Sequence, residues 1–371
     1  MTNHSLDRNK PVFLYMQLTE VLRNKIRDHT YKPGEMIPSE EKLSKLYQVN
    51  RATVRKAIAE LIKGKLLYAV PATGTFVSEP EKVTTAISAE NKNLTFCWII
   101  KAYGLSVLGP YHMDLLTAIQ SELSNNNHLV FQDISKNAEL QYSDHWSGYF
   151  LIGELPDNII EKCYSSELPC VFIDSKPCNK MPSVISENYM GAKEAVKHLV
   201  DLGHKRIAYI HSDIESFVAN ERFRGYIDAL KESGIPIDKN ITAVGDMQVE
   251  GGIRATEKIL KDAPDITAIF SVNDETAIGA LKVMSHKGIS VPKDISIIGF
   301  DDIGWSRHSI PPLTTVRIFR PELAFYSVEL MMNMIERDHN TCAPTISMPT
   351  ELIIRESTAP AKAGSPKEGV K

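Results

Sequence analysis

Residues 38–61 read PSEEKLSKLYQVNRATVRKAIAEL, two short helical patterns joined by a tight turn. Ser39 suits an N-cap, because its hydroxyl can accept from the free N–H groups of the first turn. Glu40 and Glu41 come next, where negative charge favours the positive end of the helix. Leu43 and Leu46 supply the apolar face of this helix. Tyr47-Gln48-Val49 makes the turn, and Asn50 caps a second helix that ends at Gly64. There Val54, Ile58 and Leu61 fall at i, i+4 and i+7, one buried stripe, leaving Arg51, Thr53, Arg55 and Lys56 on the other side. A helix-turn-helix reads base edges with the N-terminal part of its second helix. A helical hairpin with a solvated basic face would explain these residues equally well. Residues 66–77 decide between the two. LLYAV at 66–70 is an apolar strand pattern, Pro71-Ala72-Thr73-Gly74 a turn, and Thr75-Phe76-Val77 a second strand. A ribbon directly after a recognition helix is a wing, whose tip can reach DNA backbone or minor groove.

The motifs Tyr15-Met16-Gln17, Tyr31-Lys32-Pro33-Gly34, Ile37-Pro38-Ser39-Glu40, Val49-Asn50-Arg51-Ala52-Thr53-Val54-Arg55 and Gly74-Thr75-Phe76-Val77 together resemble a GntR-type winged helix-turn-helix over residues 11–78. The resemblance implies DNA contacts from Ser39, Glu40, Asn50, Arg51, Thr53 and Arg55, and from Thr73, Gly74 and Thr75 at the wing. Two positions depart from that pattern. Glu41 stands where Arg or Asn is frequent, and Pro71-Ala72 replaces a more glycine-rich tip.

Bulk properties agree. A chain of 371 residues with 43% hydrophobic content fits two or three globular domains. No apolar run approaches the roughly 18 residues that span a membrane, and MTNHSLDRNKP lacks a signal-peptide core, so a cytoplasmic location is expected. The cysteines Cys97, Cys163, Cys170, Cys178 and Cys342 show no C-x-x-C pair and read as reduced thiols. The net charge of -4 conceals an asymmetry: residues 10–78 hold 12 Lys and Arg against 6 Asp and Glu, the remainder 30 against 40. A +6 segment on a -10 body suits phosphate contact by the first alone.

In chain order, a helix is expected over residues 13–28, with Leu14, Leu18, Leu22 and Ile26 at helical spacing. The polar stretch 79–93 reads as a linker. From Leu94 the chain alternates strand and helix: strands at 94–100, 128–133, 148–152, 169–174, 206–211, 243–246, 268–272 and 296–300, with helices at 113–125, 155–167, 189–202, 220–233, 251–261 and 275–287. Residues 134–147 are polar where a crossover helix belongs, so that connection is expected to be shortened or irregular. The alternation means a doubly wound α/β architecture, in two lobes at this length. The expected domains are therefore a winged helix-turn-helix at 10–78, a linker at 79–93, an α/β effector body at 94–358 and a polar tail at 359–371.

Several motifs in order carry a second resemblance: Val196-Lys197-His198-Leu199, Leu202-Gly203-His204-Lys205-Arg206-Ile207-Ala208, Glu221-Arg222-Phe223-Arg224-Gly225-Tyr226, Asn273-Asp274, residues 291–302 (VPKDISIIGFDD) and residues 311–316 (PPLTTV). Together they resemble the effector domain of LacI/GalR repressors, which is related to periplasmic sugar-binding proteins. With the GntR-type reader, the whole is similar to the arabinose-repressor group. Ligands of open α/β sheets sit beyond the strands' carboxyl ends. Asp174, Asn273 with Asp274, and Asp301 stand at such ends, and Arg222 is placed at the opening of a helix after another. Carboxylate, amide and guanidinium groups offer the paired donors and acceptors that a polyol needs. The resemblance implies Arg222, Asn273 and Asp301 as effector contacts, with Asp174. Tyr111 or His112 is placed to stack on or bond to a sugar. Asp274 is read as a cap of the helix at Glu275, Asp302 and His204 as structural, and Trp305 as packing, rim or platform.

No G-x-S-x-G, H-E-x-x-H, P-loop or Rossmann fingerprint is present, so no catalytic residue, metal or cofactor is expected. A sugar-binding transport protein would lack the reader, and an enzyme with a DNA module would need a catalytic constellation. The expectation is a repressor of carbohydrate-utilisation genes. It would bind operator DNA as a homodimer and be released by a sugar or sugar phosphate; an activator or a corepressor-dependent repressor is left open.

Overall fold

The computed structural model describes residues 14–27, 30–63, 66–70, 74–78, 93–101, 108–123, 127–134, 140, 143–178, 180–212, 216–336 and 343–362. The chain divides into two compact units, before and after residue 93. The expected linker, apart from Asn93, lies outside the described residues.

The first unit holds α1 (Leu14–Arg27), α2 (Glu40–Tyr47), α3 (Arg51–Lys63), β1 (Leu67–Val70) and β2 (Gly74–Val77). Ser39 caps α2, its Oγ accepting from Lys42 N–H at 3.3 Å, and Asn50 Oδ1 accepts from Thr53 N–H at 2.7 Å. Between them Gln48 adopts the left-handed conformation (φ 54) that ends α2. Val54, Ile58 and Leu61 are buried with Leu18, Leu22, Leu43 and Leu67 in one core. Leu46 corrects the sequence reading: it is 62% exposed. Tyr47, four residues after Leu43, packs on the core instead, because i and i+4 share a face of this short helix. The ribbon is antiparallel, Leu67 opposite Val77 and Val70 opposite Gly74, with the Tyr68 and Phe76 rings stacked at 5.6 Å. Gly74 has φ +154, a backbone conformation that favours glycine.

The second unit has two lobes. One carries a parallel sheet in the order β13-β7-β6-β5-β3-β4, the other β14-β12-β11-β10-β8-β9, parallel except for β14. The first is built from β3 (Thr95–Ile100), α4 (Pro110–Glu122), β4 (His128–Asp133), β5 (Trp146–Ile152), α5 (Asp157–Ser165), β6 (Cys170–Ile173) and β7 (Ser183–Ser186). The second comprises α6 (Asn188–Asp201), β8 (Ile207–Ser212), α7 (Phe217–Glu232), β9 (Thr242–Gly245), α8 (Val249–Asp262), β10 (Ala268–Ser271), α9 (Asp274–His286), β11 (Ser296–Asp301) and β12 (Thr314–Ile318). Then α10 (Arg320–Glu336) returns to pack on α4 of the first lobe. β13 (Thr345–Met348) completes that lobe's sheet, and β14 (Thr350–Ile353) the second's.

Strands β3, β5, β6, β10 and β11 are almost wholly buried, as helices on both sheet faces require. No helix is present among the described residues between β4 and β5. The sequence reading missed β7, β12, α10, β13 and β14, all of which come just after a lobe crossing or just before one. The body also continues past 358: Ala361 N–H donates to Leu202 O at 2.8 Å, and His204 is buried against Thr267, Ser296 and Ala359. Among the described residues no helix is long and apolar enough to cross a membrane.

Candidate functional site

In the first sheet β3 lies between β5 and β4, and in the second β8 lies between β10 and β9. Each order reverses there, which opens a crevice at the carboxyl ends of the strands. Register aligns those ends, Ile100 opposite Ile152 and Ile152 opposite Ile173. The two crevices meet in a cavity of about 330 Å³ between the lobes. Tyr111, His112, Asp174, Arg222, Asn273 and Asp301 all line it.

Arg222 is buried in the second turn of α7; it does not open the helix. Its Nη2 lies 2.9 Å from Asp301 Oδ1, its Nε donates to Asn188 Oδ1 at 2.8 Å, and its Nη1 to Val272 O at 2.7 Å. The guanidinium lies 3.8 Å from the centre of the Phe300 ring. Burial raises the Asp301 carboxyl, and Arg222 and Arg320 act against that rise. Asp301 holds φ 107, a conformation that costs an ordinary residue about 1–3 kcal/mol and concentrates at functional sites. Asp174 accepts from Ser186 N–H at 2.8 Å through one oxygen and from the Tyr111 hydroxyl through the other. Burial pushes His112 down to about 4, so its imidazole is neutral at physiological pH.

Asn273 also lines the cavity, but both ends of its amide are engaged. Oδ1 accepts from Thr276 N–H at 3.0 Å, capping α9, and Nδ2 donates to Met247 O at 2.8 Å. The capping role read for Asp274 therefore belongs to Asn273. Asp274 is wholly buried, away from the cavity, accepting from Ile303 N–H (2.9 Å), Ser306 Oγ (2.6 Å) and Thr315 Oγ1 (2.5 Å). Asp302 is structural, as read. Burial raises its carboxyl, and hydrogen bonds from Arg355 and Arg317 outweigh that and hold it below the ordinary range.

The reading missed Glu275, Glu154 and Asp246, which also line the cavity. Glu275 is pushed up to about 7, first by burial and then by Asp301, Glu250 and Asp246. Its signal in the sequence was an acidic residue two positions past the strand-end Asn273, on the same helix mouth. Trp305 stands on the rim, 55% exposed.

On the reader, Arg51 and Arg55 are exposed at the start of α3. Arg55 meets Glu40 through Nε (3.2 Å) and Nη2 (3.0 Å), and Arg51 meets Glu41 at 2.9 Å. Lys56 instead lies over the Tyr15 ring at 3.8 Å. Ser39 and Asn50, read as DNA contacts, cap α2 and α3. Thr53, Gly74 and Thr75 are partly buried, and Thr73 lies outside the described residues.

Residues 14–77 match the family described as bacterial regulatory proteins, gntR family, and residues 196–358 the periplasmic binding protein-like domain. The chain is 32% identical over 261 residues to the HTH-type transcriptional repressor PurR of Pasteurella multocida, covering 67% of this chain and 77% of that one. It is 31% identical over 264 residues to the HTH-type transcriptional repressor CytR of Escherichia coli, covering 68% and 76%. A LacI family transcriptional regulator from Enterococcus faecium, solved with bound ribose, superposes with TM-score 0.66 at 26% identity, over 72% of this chain and all of that one.

Proposed function

The chain belongs to the LacI-type family of the repressors PurR and CytR, and from that membership we propose a carbohydrate-responsive repressor that binds its operator as a homodimer in the cytoplasm. Its relatives are transcriptional repressors, and the gntR-type reader together with the effector body makes this chain a DNA-binding regulator governed by a small molecule, not an enzyme. The observation that carries the carbohydrate reading is the cleft. Asp301 and Asp174 at strand ends and Arg222 in the second turn of α7 line it from two lobes, the donor and acceptor set that a polyol's paired hydroxyls require. The ribose bound by the E. faecium regulator supports the same class of ligand.

In this reading the sugar bridges both lobes, favours one lobe arrangement, and thereby changes the match of the two readers to a pseudo-palindromic operator. Arg51 and Arg55 would exchange Glu41 and Glu40 for phosphates or base edges. A thermal-shift panel of pentoses, hexoses and disaccharides tests the carbohydrate reading. A ligand at 100 times its Kd adds about 2.7 kcal/mol of stability, and a panel with no shift at all counts against it.

A further inference from the structure

We propose that the cleft admits a neutral or cationic effector and rejects phosphorylated ones, with Glu275 as the residue that sets this selection. The inference rests on the effector reading of the cleft and names the chemical class of its ligand.

Five carboxylates, those of Glu154, Asp174, Asp246, Glu275 and Asp301, line the cavity against two cationic side chains, Lys101 and Arg222. Four of the five have a hydrogen-bond donor or a cation beside them. Glu154 Oε1 accepts from Phe217 N–H at 2.6 Å, and Asp174 from Ser186 and Tyr111. Asp246 meets Arg254 at 2.6 Å, and Asp301 meets Arg222. Among the described residues Glu275 has neither a hydrogen bond nor an ion pair, and the charges that act on it most, those of Asp301, Glu250 and Asp246, are acidic. Arg222, the cation at the centre of the site, is matched by Asp301 and holds two backbone and amide oxygens besides. A phosphate entering here meets an excess of like charge and displaces no mobile anion, whereas a hydroxyl or ammonium donor satisfies an acceptor that otherwise has none.

Position strengthens the assignment. A Cβ at Gly109 would come 2.5 Å from Glu275 Oε1, so the carboxylate of one lobe stands against the first turn of α4 on the other. A ligand donor bound by Glu275 thus sits beside residues of both lobes.

The test uses the full chain at pH 8, where Glu275 is ionised, titrated with matched pairs: ribose and ribose 5-phosphate, glucose and glucose 6-phosphate, adenosine and adenosine 5′-phosphate, cytidine and cytidine 5′-phosphate. The member without phosphate is expected to bind at least about 100-fold more tightly, a discrimination that like-charge repulsion readily supplies. Glu275→Gln should narrow the ratio to about tenfold or less, while Glu275→Asp, which keeps the charge, preserves it. A phosphate ester that binds as tightly as its parent, or a ratio unmoved by Glu275→Gln, overturns the proposal and leaves the effector reading standing. A hit confined to the nucleosides overturns the carbohydrate reading alone. Silence of all four pairs overturns both.

Discussion

Arg222 and Asp301 show what one residue pair decides. Both are buried, at 3% and 6% exposure, and face each other at 2.9 Å. Removing Arg222 strands a buried carboxylate, and breaking such a pair costs about 3–5 kcal/mol. Arg222→Ala should therefore lose that much in urea unfolding, and adding Asp301→Asn should recover part of it by removing the stranded charge. A loss under about 0.5 kcal/mol would mean a surface role. Asp274 and Glu275 set a pH dependence. Burial raises both carboxyls, to about 8 and about 7, against three hydrogen-bond donors at Asp274. The folded chain then binds protons that the unfolded chain has already released. Their contribution to stability is therefore fully present below about pH 4 and is lost as pH rises through 7 and 8. Asp302 acts oppositely at the acid end, and His112, His198 and His204, whose pKa burial lowers, oppose the fall up to about pH 6.5. Melting temperature should fall between pH 7 and 8, above the range in which the histidines oppose it, and Asp274→Asn should flatten that slope.

The reader shows at the element scale why local signals were legible. Caps act within one turn, so Ser39 and Asn50 could be placed from sequence, and both make the hydrogen bonds expected of caps. Asn50→Ala should destabilise α3 by about 1 kcal/mol, read as faster amide exchange in residues 51–57 of the full chain, while Asn50→Asp retains protection. Where the sequence reading failed, the cause was non-local. Leu46 lost its inward place to Tyr47 because helix rotation, not hydrophobicity, chooses the buried face. α10 was missed although its residues pack on α4, because a helix returning across a lobe boundary interrupts the strand-helix rhythm that revealed the others.

At the scale of the molecule, a basic reader on an acidic body separates two tasks that a repressor must couple. Coupling between binding sites is reciprocal, typically about 1–3 kcal/mol or 5–150-fold. An effector titration with and without saturating operator DNA should show its affinity shifted by the same factor by which it shifts DNA affinity. No shift in either titration would break the link between cleft and reader.

The two-part architecture, the winged reader, the doubly wound body and the six side chains that line the cleft were legible along the chain. These are written in residue spacing, capping chemistry and strand ends, which act over a few positions. Tertiary structure alone decided which polar groups at those ends remain available. Asn273 turned out to be occupied as a cap, Asp274 buried away from the cavity, and Glu275 left facing the cavity among like charges. These three residues are consecutive in the chain. Their fates differ because burial and partners come from Met247, Ser306, Thr315 and Gly109, residues brought together only by the packing of two sheets across a shared cleft.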